Sequence, residues 1–151
     1  MQTKKLKLLT TLLFLLPLCV ALLGAGCDDD ESEELLHDIT LSDKPLSVIQ
    51  QYITGDWKLQ YSIGGIAGSK YIDESNSYMN LTQNHITMGN DSKGVFVDSP
   101  IEWINKYDTY LLDYSYSEGV HFAYIIEGIK NDTLMVTEDA GDGFTFFYTK
   151  Q

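Results

Sequence analysis

The chain has 151 residues with 22 acidic and 10 basic side chains, a formal charge of −12, and no arginine. That balance excludes nucleic acid as a natural partner, since neutralising phosphates takes clustered Lys or Arg, and it disfavours adsorption to anionic lipid headgroups. The length allows one domain with a single core.

Residues 1–26 read as a targeting segment. Lys4, Lys5 and Lys7 form a positive start, Leu8 to Leu23 is an almost unbroken apolar run, and the small residues Gly24, Ala25 and Gly26 precede Cys27. That order resembles a bacterial lipoprotein signal ending in a lipobox, which implies that Cys27 takes a diacylglyceryl group and becomes the mature N-terminus. One position departs from the pattern: the Leu expected three residues before the Cys is Gly24 here, and Leu23 lies one further back. An uncleaved signal anchor is the alternative, because the apolar run is close to the roughly 20 residues that span a bilayer. Both readings carry the rest of the chain out of the cytoplasm.

Cys19 lies inside the apolar run, so cleavage would leave Cys27 as the only cysteine and no disulfide within the mature chain. A lone Cys directly after a hydrophobic segment fits acylation, and two or three acyl chains are what make such an anchor stable. Removing the three signal lysines also takes the formal charge from −12 to −15. Attachment to a membrane would then rest on the lipid alone.

Residues 27–46 form a tether in this reading. Asp28-Asp29-Asp30-Glu31-Ser32-Glu33-Glu34 repels itself and has almost nothing to bury, and Leu35 to Lys44 continues as a linker. No Gly-turned loop accompanies the acids, which argues against calcium. An acidic run after a lipidated Cys resembles an export signal to the outer cell surface in some Gram-negative groups, while an Asp beside that Cys marks inner-membrane retention in others. Three Asp and a Glu resemble the surface signal more, which implies the outer membrane and an exposed position.

Residues 47–151 are expected to form one all-β domain after a short helix. In Pro45 to Tyr52, Ser47 is the expected cap and Val48, Ile49 and Tyr52 share a face, with Gly55 as the stop. The period then changes to two, placing Trp57, Leu59, Tyr61 and Ile63 on one face and Lys58, Gln60 and Ser62 on the other. Ser69 to Ser77 is polar and reads as a loop, with Lys70-Tyr71-Ile72 as a possible short edge strand. Tyr78 to Thr82 and His85 to Met88 make a hairpin, with Met79, Leu81, Ile86 and Met88 inward. After a turn over Met88 to Gly94 come Val95 to Val97 and Ile101 to Tyr107. Pro100 makes these two short strands or one strand broken at a corner.

The second half alternates most clearly. Tyr110, Leu112, Tyr114 and Tyr116 face one way, and Val120, Phe122, Tyr124 and Ile126 continue after the Glu118-Gly119 turn. Lys130 to Thr133 turns into Leu134 to Glu138, residues 139–143 turn again, and Phe144, Phe146 and Tyr148 line the last strand. Such spacing without helices predicts an antiparallel up-and-down meander, and closing about eight strands into a β-barrel removes the exposed edges.

Thr54-Gly55-Asp56-Trp57-Lys58-Leu59 resembles the Gly-x-Trp signature of the lipocalin superfamily. The region from Ser47 to Gln151 is similar to the lipocalin-like domains of secreted bacterial lipoproteins, through its helix, its Gly55-Asp56-Trp57 start, the Asn131-Asp132-Thr133-Leu134 hairpin and the aromatic last strand. The resemblance implies a barrel with Trp57 at its closed end, just after the helix.

No residue argues for catalysis. His37, His85 and His121 have no spacing that sets two metal ligands on one face, and the serines lie in polar turns without a His nearby. His121 is out of phase with Val120 and Phe122 and is expected to face solvent. Residues 138–143 hold acids and glycines that suit either a turn or calcium, with a turn the simpler account. Neither metal nor cofactor is expected. The candidate site is the aromatic stripe: Tyr61, Tyr110, Leu112, Tyr114, Tyr116, Phe122, Tyr124, Phe144 and Phe146, with Tyr148, are expected to face inward. These rings either fill the barrel or line a pocket for a small hydrophobic or amphipathic ligand, since an eight-stranded barrel is wide enough for either. Buried Tyr hydroxyls need partners, which favours a pocket. The alternative function is a non-catalytic accessory or scaffold lipoprotein whose outer loops bind protein or glycan. Asp132-Thr133-Leu134 also resembles a bacterial O-glycosylation sequon, with Thr133 as acceptor.

Overall fold

The computed structural model describes residues 38–65 and 70–151. Cys27, the targeting segment and the acidic run lie outside the described residues. Among the described residues the order is β1 (Ile39–Thr40), α1 (Leu46–Ile53), β2 (Gly55–Gly64), β3 (Lys70–Asp73), β4 (Ser77–Leu81), β5 (His85–Asn90), β6 (Gly94–Lys106), β7 (Thr109–Ser117), β8 (Val120–Lys130), β9 (Thr133–Glu138) and β10 (Phe144–Lys150).

Strands β2, β4, β5, β6, β7, β8, β9 and β10 pair in that cyclic order, each antiparallel to its neighbours, and β10 returns to β2. The result is the expected closed barrel of eight strands with a short helix before it. Strand β3 prolongs the β4 position along the second half of β2, so Lys70–Asp73 is the edge strand and the turn is confined to residues 74–76. Closure leaves few unpaired backbone groups, and alternate residues of each strand point to the axis. Met79 lies opposite Met88 and Leu81 opposite Ile86, all buried, as the period-two pattern predicts.

One end of the barrel is plugged. Helix α1 buries Ile49 and Ile53, with Val48 and Tyr52 packed at the edge of the same cluster. Its N-cap is Pro45 rather than Ser47 and carries no side-chain hydrogen bond, because the helix already begins at Leu46 and Ser47 falls inside the first turn. Thr54 closes the helix by donating its Oγ1 to the Gln50 carbonyl at 2.7 Å. Gly55 then turns the chain into β2 at φ +136°, a region that favours glycine. Trp57 is fully buried beneath this helix and donates its Nε1 hydrogen to the Ile53 carbonyl at 2.7 Å. The Gln83 carbonyl accepts from Gln50 Nε2 at 3.0 Å and from Trp103 Nε1 at 2.9 Å, tying the β4–β5 turn to the plug.

The reading of residues 35–44 as a free linker ends too late in the chain. Ile39 and Thr40 pair with Ile129 and Gly128 of β8, the Leu41 amide donates to the Glu127 carbonyl at 2.9 Å, and Leu41 is fully buried in the core. An apolar residue at 41 that gains a place in the core outweighs the local polarity of its neighbours.

Single-residue bulges reverse the alternation and re-aim side chains. Tyr148 pairs with Leu59 but Phe147 pairs with Tyr61, so Gln60 is an extra residue in β2. Beyond it Ser62 turns inward and Tyr61 and Ile63 turn out. Tyr61 therefore sits outside the barrel, stacked between Tyr71 at 5.0 Å and Phe147 at 4.5 Å, contrary to the expected inward position. Phe96 is the extra residue of β6 opposite Met88 and Gly89, and Tyr116 is the extra residue of β7 opposite Val120 and His121.

Strand β6 is continuous through Pro100. Its ladder to β7 ends at Ile101 and Tyr114, so Pro100 stands one position beyond the last pair, where a missing N–H costs nothing. The Ser115 amide, which would have met β6 there, donates instead to Ser99 Oγ at 3.2 Å.

Candidate functional site

The unplugged end carries the turns after β3, β5, β7 and β9. Two depressions meet there. An outer groove of about 710 Å³ runs over the β3–β4 turn and the end of β5, with Asp73, Ser75, Asn76, Asn90 and Lys93 along it. An inner cavity of about 190 Å³ descends between the strands, and Glu74, Ser77, Phe96 and Tyr116 border both. Together they form a cup with a polar rim. The inner volume is below the roughly 300–1,000 Å³ of pockets that enclose a whole small ligand, so it suits one end of such a molecule.

Below the cup the barrel is filled. Leu112 and Tyr110 belong to this filling: Leu112 is 1% exposed opposite Trp103, and Tyr110 packs at the edge of the core near the plug. Neither lines the cavity, because their positions on β7 lie toward the closed end. Phe144 also stands apart, packed on Phe146 at 6.3 Å and over Gly65 beside the mouth. The expected residues that the fold does bring together are Tyr114, Tyr116, Phe122, Tyr124 and Phe146, joined by Tyr148.

Their rings form one connected wall. Phe122 stacks on Tyr114 at 6.1 Å and meets Tyr116 edge-on at 5.6 Å, while Tyr124 lies 5.5 Å from Tyr114 and 5.7 Å from Phe146. Phe146 continues to Tyr148 at 6.4 Å. Bulging puts Tyr116 and Phe96 on the rim, where they are 47% and 45% exposed, with Phe122 at 36% beside them.

The polar groups of the cup are phenols and carboxylates. The Tyr114 hydroxyl donates to that of Tyr124 at 3.0 Å, whereas the Tyr148 hydroxyl is buried without a hydrogen-bond partner among the described residues. Burial pushes Tyr114 up to about 12 and drives Tyr124 and Tyr148 further in the same direction, so all three remain neutral phenols at physiological pH. Glu138 accepts the Phe144 amide on Oε2 at 3.0 Å, and Glu74 accepts the Ser62 hydroxyl on Oε2 at 3.0 Å. Each keeps a second oxygen free of these bonds. Among the described residues no basic side chain lines the inner cavity.

Glu138 was accessible from the sequence, since it is in phase with the inward Leu134 and Val136; an acid at an inward position was the signal. Glu74 reaches the cup from a turn, and Phe96 through a bulge, which no periodicity marks. Both described histidines stand on the outer surface. His85 meets Asp98 at 2.7 Å, and this bond holds the Asp98 carboxyl below its usual range; His121, exposed as expected, meets Asp113 at 2.9 Å. No three metal-binding side chains converge among the described residues. Comparison with family models, curated proteins and solved structures finds no match for the chain.

Proposed function

We propose that this chain is a lipid-anchored, extracytoplasmic, lipocalin-like binding protein that holds one end of a small amphipathic ligand in the cup. The observation that carries the reading is the unpartnered Tyr148 hydroxyl, 1% exposed at the aromatic wall of a cavity that opens to solvent. A buried polar group without a partner costs about 1–3 kcal/mol, and a ligand that supplies the partner recovers that cost. The apolar rings would take the body of the ligand, and the rim would leave the rest exposed. The lipid anchor rests on Cys27 and its flanking sequence, and it would keep the cup near a membrane surface. The reading is non-catalytic and needs neither cofactor nor metal.

The test is native mass spectrometry of the protein purified gently from its own membranes, beside a Tyr114→Trp variant that narrows the cavity. A discrete added mass that the variant loses supports the reading. No added mass in either sample refutes it.

A second reading is a scaffold lipoprotein that binds protein through the rim. It is favoured by the exposed Val95, Phe96, Tyr116, Val120 and Phe122, which crowd the same end of the barrel. Rim substitutions such as Val95→Ser would then abolish partner capture without changing small-molecule binding.

A further inference from the structure

We propose that the cup selects an organic cation, a ligand whose head is an alkylammonium group. This rests on the reading of the cup as a small-molecule site and names its ligand class. Three observations converge on it.

Among the described residues the inner cavity is lined by two carboxylates, Glu74 and Glu138, and by no Lys or His. Lys93 lines the outer groove, together with Asp73 and Glu74. An anionic head entering the cavity would meet like charge at short range with no counter-ion. Like charges so placed repel, and a cation reverses the sign.

The wall is a set of aromatic faces and edges at mutual distances of 5.5–6.1 Å. Such rings attract a desolvated cation through their quadrupoles.

The remaining polar groups are short of donors. Glu74 and Glu138 each keep one carboxylate oxygen outside their hydrogen bonds to Ser62 and Phe144, and the Tyr148 oxygen has no partner among the described residues. An alkylammonium carries N–H donors that match this set of acceptors. The match is charge-assisted at the carboxylates, which makes those bonds the stronger ones.

The experiment titrates the full-length protein in maltoside micelles, with protein-free micelles as the blank, against n-hexylamine, 1-hexanol and hexanoate at neutral pH. These probes share one chain and differ in the charge of the head. Hexylammonium is expected to bind at least about tenfold more tightly than hexanol, the size of one charge-assisted hydrogen bond, with hexanoate weakest. Glu138→Gln and Glu74→Gln keep an acceptor for Phe144 and Ser62, and together they should abolish the preference for the amine. Tyr148→Phe should weaken the amine several-fold while leaving the melting temperature no lower. Equal binding of amine and alcohol, or a preference for hexanoate, overturns the cation assignment and leaves the binding cup intact. Binding of none of the three to the folded protein overturns both.

Discussion

Trp57 is the side chain on which the closed end depends, and truncating it tests the packing account. It is fully buried, its Nε1 hydrogen satisfies the Ile53 carbonyl at 2.7 Å, and Lys150 Nζ lies 5.9 Å from its ring centre. Ile53 is the last residue of α1, so its carbonyl has no partner within the helix. Trp57→Ala removes the ring and leaves a cavity, at about 3–5 kcal/mol for an aromatic in a core. In a domain of this size each kcal/mol lowers the melting temperature by about 4–8 °C, so the variant should melt at least about 12 °C lower. Trp57→Phe keeps one aromatic ring in the core and loses the five-membered ring together with its donor. It should cost about 1–3 kcal/mol, the penalty of a buried carbonyl left unpaired. Urea denaturation followed by far-ultraviolet circular dichroism measures both, and hydrogen exchange at the α1 amides shows whether the helix has come away from the barrel. An unshifted midpoint in Trp57→Ala would mean that Trp57 is not the plug. Equal losses in the two variants would mean that the hydrogen bond, not the packing, holds the helix.

Three further outcomes are expected. Tyr114 holds its proton to about pH 12 in the folded barrel against 10 for an ordinary phenol, so its contribution to stability is complete below pH 10 and is lost as pH rises from 10 to about 12. Tyrosinate absorbance should show Tyr114, Tyr124 and Tyr148 ionising only as the barrel unfolds; ten tyrosines titrating together in folded protein would contradict their burial. Gly128→Ala places a methyl group against the Ile39 carbonyl at a φ of +156°, and should cost about 1–3 kcal/mol and expose the Leu41 amide to exchange. Unchanged exchange at Leu41 would show that β1 is not held as described. Cys27→Ala should release the protein from membranes and abolish labelling by a radioactive fatty acid, and labelling that persists would refute the anchor.

The barrel was legible in the sequence because its physics is local. Alternation across Tyr110 to Tyr116 and across Phe122 to Ile126 reports one buried face per strand. The tight turn at Asn131 and Asp132, both at positive φ, is the chemistry expected of a two-residue hairpin. The site was only half legible. Gln60, Phe96 and Tyr116 are extra residues that exist only relative to the partner strand, and each inverts or re-aims the side chains beyond it; a period-two reading carried Tyr61 to the wrong face for that reason. Tyr110 and Leu112 have the right face but the wrong height, because how far a strand's inward residues lie from the plug depends on register with its neighbours. Leu41 was missed because β1 is two residues long and its partner lies far off in sequence, near residue 128.

The proposed function requires that the cup, and no other surface, holds the ligand. A crystal structure of the protein purified from its own membranes, without lipid-stripping steps, tests it directly. Density is expected to begin at the Tyr148 hydroxyl, pass between Glu138 and Glu74, and leave the barrel past Tyr116 and Phe96. A cup closed by its own side chains, with added density only on the outer loops, would contradict it.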